Sequence, residues 1–248
     1  MSAGPTDGCG CFPTGRHYAG IAHLLRTTVR GLVAEVDLDA DWRELPIAML
    51  DVETTGTDSA TDRIVEVGIV RCVGGEIMAR HNWLINPGRP IPREASEVHG
   101  IKDEDVQGAP PFAAVALAIV EFFQGHIPAA YNASFDRAFL WREMDRLELP
   151  APVDAPALRK DVEWLDPLVW ARELQQGERS RALGDVVARL GIALENAHRA
   201  THDAEAALRV LLAFGRDVRV PRSYAAFVQE QRRLSMSQAD ARRNKWRG

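Results

Sequence analysis

The chain has 248 residues, 46% hydrophobic and 26% charged, enough for one large domain with its own core. Its apolar runs are too short to span a bilayer, and three cysteines make no disulfide framework. The first residues lack the basic-then-apolar pattern of a secretion signal, so a cytoplasmic protein without membrane attachment is expected. The net charge of −5 argues against a generic nucleic-acid binder, but it is unevenly spread. From Arg216 to Gly248, nine Lys/Arg against three Asp/Glu leave +6, and the remainder carries −11. A basic end on an acidic body suits a solvated face, or contact with phosphate or an acidic partner.

Residues 1–16 read as a disordered tail, Cys9 and Cys11 included. Apolar residues at Tyr18, Ile21, Leu25, Val29, Leu32 and Val36 predict one face of a helix, followed by a polar linker. A strand is expected over Ile47 to Val52. "DRIVEVGIVRC" and "EIMARHNWLIN" flank Gly74-Gly75 and read as a hairpin. After a loop, "NPGRPIP", a helix is expected over about 111–124, a short buried strand at "IPAAYN" and a helix over about 134–147. Asn132 or Ser134 is the expected N-cap of that helix. "LPAPVDAPALRK" reads as a linker and "DVEWLD" as a strand end, with Asp166 capping a helix over 167–173. Further helices are expected over 181–190, 202–214 and 224–243. Trp83, Trp164 and Trp170 read as packing residues. The pattern predicts an α/β fold, with a mixed sheet covered by helices on both faces.

Three acidic sites stand out. In "IAMLDVETTG" a core-like strand ends in Asp51 and Glu53, which share one face because strand residues two apart point the same way. Asp136 in "YNASFDRAFL" and Asp203 in "AHRATHDAEAALRVLL" fall in the first turns of helices. Taken singly, each suits a helix dipole, and the histidines before Asp203 suit an exposed loop. Together they sit where α/β folds place ligand sites. Two carboxylates about 4 Å apart repel by about 4 kcal/mol at an effective dielectric of about 20. Hard divalent cations relieve that repulsion, and oxygen-only ligands suit magnesium or manganese.

"DVETTG", "YNASFDRAFL" and "HRATHDAEAA" resemble the three motifs of the DEDD exonucleases, in the histidine-bearing DEDDh branch. The family includes the proofreading (epsilon) subunit of bacterial DNA polymerase III, and "INPGRPIPREASEVHGI" resembles its loop between the first two motifs. The resemblance spans about 46–214 and implies a ribonuclease H-like fold with two divalent cations, Mg2+ or Mn2+. It implies Asp51, Glu53, Asp136 and Asp203 as metal ligands, with Glu53 also positioning the attacking water. It makes His198 the general base, and Thr54, Thr55 and His99 the substrate-side residues. The implied reaction is 3′→5′ hydrolysis of DNA ends to nucleoside 5′-monophosphates, in proofreading or repair beside a polymerase or another partner. The alternatives are an RNA exonuclease like ribonuclease T or oligoribonuclease, or an inactive nuclease fold that only binds. The expected division is a tail at 1–16, a helix and linker at 17–45, an exonuclease domain at 46–215 and a basic helical extension at 216–248.

Overall fold

The continuous apolar run "IAML" at the start of "IAMLDVET", buried on both faces, builds the central strand. The computed structural model describes residues 31–147, 155–193 and 199–245, all within one compact unit beginning at Gly31. Strand β1, Ile47–Thr54, runs two residues beyond the expected strand, carrying Glu53 into the sheet. β2, Ile64–Val73, and β3, Glu76–Leu84, form the expected hairpin. Gly74 and Gly75 turn it at φ of 59° and 76°, a conformation L side chains resist. β4, Ile127–Ala130, joins β1 in parallel, and the sheet order is β3-β2-β1-β4. The first three strands are antiparallel, so the sheet is mixed.

Both sheet faces are buried. Ile47, Met49, Val70, Cys72, Ile127 and Ala129 point into one apolar core. The alternate residues Ala48, Leu50, Val67, Ile69 and Ala130 point into a second. The helices, in chain order, are α1 (Arg93–His99), α2 (Asp103–Val106), α3 (Phe112–Glu121), α4 (Ala133–Asp145), α5 (Pro167–Leu174), α6 (Leu183–Leu190), α7 (Ala200–Phe214) and α8 (Tyr224–Lys245). α3 and α4 cover the second core, and α5 to α8 the first. Trp83, Trp164 and Trp170 are buried packing residues, as expected.

The structure departs from the sequence expectations in four places. Leu32 to Val36 form no helix; Gly31 instead bridges to Val162, and the rest of that expected helix lies outside the described residues. The loop after β3 contains α1 and α2, whose seven and four residues are too short to show a helical period. "DVEWLD" touches the sheet only through an isolated bridge between Ala129 and Leu165. Asp166 then turns the chain away, accepting the Leu168 N–H at the start of α5. Finally, Asn132 is the N-cap of α4 but in a left-handed conformation, φ 68°, with no side-chain cap bond. Asp166 accepts the Asn132 and Ala133 N–H groups in its place, at 2.9 and 3.1 Å. One loop carboxylate thereby anchors the starts of two helices.

The basic end is mostly α8. Its buried face, Tyr224, Phe227, Val228, Gln231 and Leu234, recurs at helical spacing and packs into the first core. Trp42 lies 4.6 Å from Phe227 between ring centres, and Tyr224 accepts the Val33 N–H through its hydroxyl. Among the described residues, no helix is long and apolar enough to cross a membrane.

Candidate active site

β4 ends at Ala130, opposite Leu50, leaving Asp51 to Thr54 paired only with β2. That step opens a crevice at the carboxyl ends of two parallel strands, the usual ligand position in such sheets. The Val52 N–H faces the step, and Asp136 fills it, accepting that N–H at 3.1 Å from the first turn of α4. Asp136 is 3% exposed. The motif II carboxylate is thus tied to the strand between Asp51 and Glu53.

α7 brings the third motif over the same face. Gly68 pairs with Asp51 across β1 and β2. The backbone of Ala200 and Thr201 presses onto it: a Cβ at Gly68 would lie 2.2 Å from the Ala200 carbonyl carbon and the Thr201 nitrogen. Only glycine admits that approach. Glu66, paired with Glu53 on the same face, is fully buried and holds the chain entering α7. Its carboxylate accepts from Arg199 Nη2 at 2.6 Å, the Ala200 N–H at 3.0 Å and Asn82 Nδ2 at 2.9 Å. Asn82 in turn accepts from the Thr201 hydroxyl at 2.9 Å. A buried charge so fully hydrogen-bonded fixes the start of α7.

These contacts bring together Asp51, Glu53 and Asp203. One oxygen from each lies within 4.8 Å of the others. All three side chains are half-buried. Burial, then repulsion from Asp136, Glu53 and Asp203, pushes the Asp51 carboxyl well above its ordinary value. Glu53 is pushed up to about 8 by burial, then by Asp203 and Glu66, with Arg199 pulling the other way. Burial also raises Asp136, against the lowering effect of its backbone hydrogen bonds. A hard divalent cation fits this set, because it replaces protons on oxygen donors that repel one another.

The remaining predicted residues occupy distinct places. The Thr54 hydroxyl donates to the Gly56 carbonyl at 2.6 Å. Thr55 accepts the Arg63 N–H at 3.0 Å, so both hydroxyls brace the turn after β1. His99 is buried at the end of α1, where its Nδ1 accepts the Ile101 N–H at 3.0 Å. His198 lies outside the described residues. Sequence reading missed Glu66, Gly68 and Arg199. Glu66 and Gly68 had a signal: a carboxylate and a glycine inside the otherwise apolar strand "IVEVGIV". Arg199 had none beyond standing next to His198.

Residues 48–211 match the exonuclease family (RNase_T). The chain belongs to the exonuclease family. Its resemblance to the DEDD exonucleases, read from three motifs, therefore stands, and the domain's mixed sheet flanked by helices is the ribonuclease H-like fold that resemblance implied. The chain is 31% identical, over 218 residues, to the PolC-type DNA polymerase III of Streptococcus pyogenes serotype M5. The match covers 84% of this chain but only 14% of that polymerase, so the chain spans a small part of the relatives it resembles. Among solved structures it is similar to exonuclease X in complex with 5′ overhanging duplex DNA, at TM-score 0.54 and 23% identity. That match covers 73% of this chain and 99% of the other. It is also similar to the zinc-bound form of an E. coli ExoI–ssDNA complex, at TM-score 0.61 and 22% identity, covering 73% of this chain and 42% of the other.

Proposed function

We propose that this domain is a metal-dependent 3′→5′ exonuclease that hydrolyses the terminal phosphodiester of a DNA strand. The observation that carries the reading is the convergence of Asp51, Glu53 and Asp203 within 4.8 Å, with Asp136 bound to the strand between the first two. Asp51 would hold two divalent cations, magnesium or manganese, with Glu53 and Asp203 completing one shell and Asp136 the other. When bound, such ions stabilise the charge on the attacking and leaving oxygens. Glu53 orients the attacking water, and His198 accepts its proton as general base, a role suited to imidazole near neutrality. The water oxygen bonds to phosphorus, the bond to the 3′ oxygen breaks, and that oxygen takes a proton from solvent to become the hydroxyl of the new strand end, while His198 later returns its proton to solvent. The released product is a nucleoside 5′-monophosphate. The backbone at Thr54 and Thr55, with His99, borders the terminal sugar.

DNA is favoured because the similar solved complexes hold DNA and the curated relatives are DNA polymerases. The same relatives support a place beside a polymerase or in repair. The test is matched, 5′-labelled single-stranded DNA and RNA oligonucleotides with magnesium or EDTA, using wild type and Asp51→Ala. DNA shortened from its 3′ end by wild type alone, and only with metal, is expected. Faster loss of RNA would reassign the substrate, full activity of Asp51→Ala would refute the metal site, and binding without cleavage would leave a binding module.

A further inference from the structure

A cavity that the proposed chemistry does not use lies beside the carboxylate-bearing helix α4. It encloses about 250 Å3 between the start of α4, α5 and α8. Arg137, Arg172 and Arg242 line it, one from each helix. None of the three forms a salt bridge with a carboxylate among the described residues, whereas Arg63, Arg80, Arg146, Arg199, Arg209 and Arg233 all do. Arg137 instead lies over the Trp141 ring, 5.0 Å from its centre.

Two carboxylates also line the cavity, Glu163 and Asp166. Asp166 is already satisfied, because it accepts three backbone N–H groups, from Asn132, Ala133 and Leu168. Three arginines therefore share the cavity with two carboxylates, which leaves cationic charge in excess by one. Burial and then the neighbouring Arg242 push Arg172 below its ordinary value, and Asp166 offsets this in part. Ser134 and Asn132 add neutral polar groups at the rim.

We infer that this cavity binds a phosphate of the substrate strand, inward of the terminal linkage, and that α8 exists in part to complete it. The inference rests on the exonuclease reading above. Its location supports it. Ser134, Asp136 and Arg137 share the first turn of α4, about 5 Å of helix. Asp136 reaches the sheet at the Val52 N–H and Arg137 lines the cavity, so the cavity lies beside the helix turn that carries a proposed metal ligand. Planar guanidinium forks match phosphate oxygens in pairs. α8 lies outside the matched residues 48–211, so its Arg242 supplies a contact the family match does not cover.

The test is fluorescence-anisotropy binding of a labelled single-stranded dT 12-mer to the full chain in EDTA, at several salt concentrations. Arg242→Gln and the double variant Arg172→Gln/Arg242→Gln are compared with wild type. Arg142→Gln, an exposed arginine on α4 that does not line the cavity, is the charge-matched control. The double variant is expected to bind about tenfold more weakly, with the slope of log affinity on log salt reduced by about 0.7. Unchanged affinity and slope in both cavity variants, or an equal loss in Arg142→Gln, overturns the inference. Arg242 is exposed, so its single variant keeps the test valid if Arg172→Gln unfolds. Hydrolysis by wild type in magnesium is measured in parallel. Hydrolysis without an arginine effect defeats this inference alone; an arginine effect without hydrolysis defeats the exonuclease reading alone.

Discussion

Glu53 shows in one side chain the tension that the site is built on. Its carboxyl is raised to about 8, so between its unfolded value near 4.5 and 8 the folded chain binds the extra proton. Stability must then fall as pH rises through that window, because the unfolded chain has already released the proton. Metal-free protein should therefore melt lower at pH 8 than at pH 5.5, and millimolar magnesium should remove most of the difference. Calorimetric melting with and without EDTA checks this; a melting temperature flat with pH and indifferent to magnesium would contradict it. Asp51 and Glu53 were legible because they end an apolar strand with two charges, and Asp136 and Asp203 because their motifs resemble those of the DEDD exonucleases in the same order. Arg199 was not, since nothing in the sequence says its partner is Glu66, 133 residues away. That pairing becomes visible only once β2 and the start of α7 are in contact.

Among the elements, β2 and α7 govern the geometry. Gly68 lets the backbone of α7 lie directly on the sheet opposite Asp51, which sets where Asp203 reaches. Gly68→Ala places a methyl 2.2 Å from backbone atoms that cannot rotate away. It should destabilise the fold by about 1–3 kcal/mol, as overpacking does, and lower activity further by displacing α7. Urea denaturation and hydrolysis rates measure the two effects; wild-type stability would show that the two elements yield easily. The hairpin, the four strands and the long helices were readable from period and turn chemistry, and the Gly74-Gly75 turn is the clearest case. The short α1 and α2 were not, because neither makes enough turns to establish a repeat. Nor was the capping of α4 by Asp166, a contact across 33 residues of chain.

For the whole molecule, the sheet is a platform whose two cores fix both helices that carry acidic motifs. α8 adds to the first core through Phe227 and Val228, so the basic end of the chain is part of the folded body. Its composition announced the charge, but only packing shows that Arg242 meets Arg172. The central claim is that carboxylates distant in sequence form one cation site. Its most direct test is a Mn2+ titration of the full chain, with free Mn2+ followed by electron paramagnetic resonance, for wild type and Asp51→Asn. Wild type should take up Mn2+ at the site, and Asp51→Asn should lose that uptake by at least tenfold in affinity while keeping its circular dichroism. Equal Mn2+ uptake by both proteins would contradict the account.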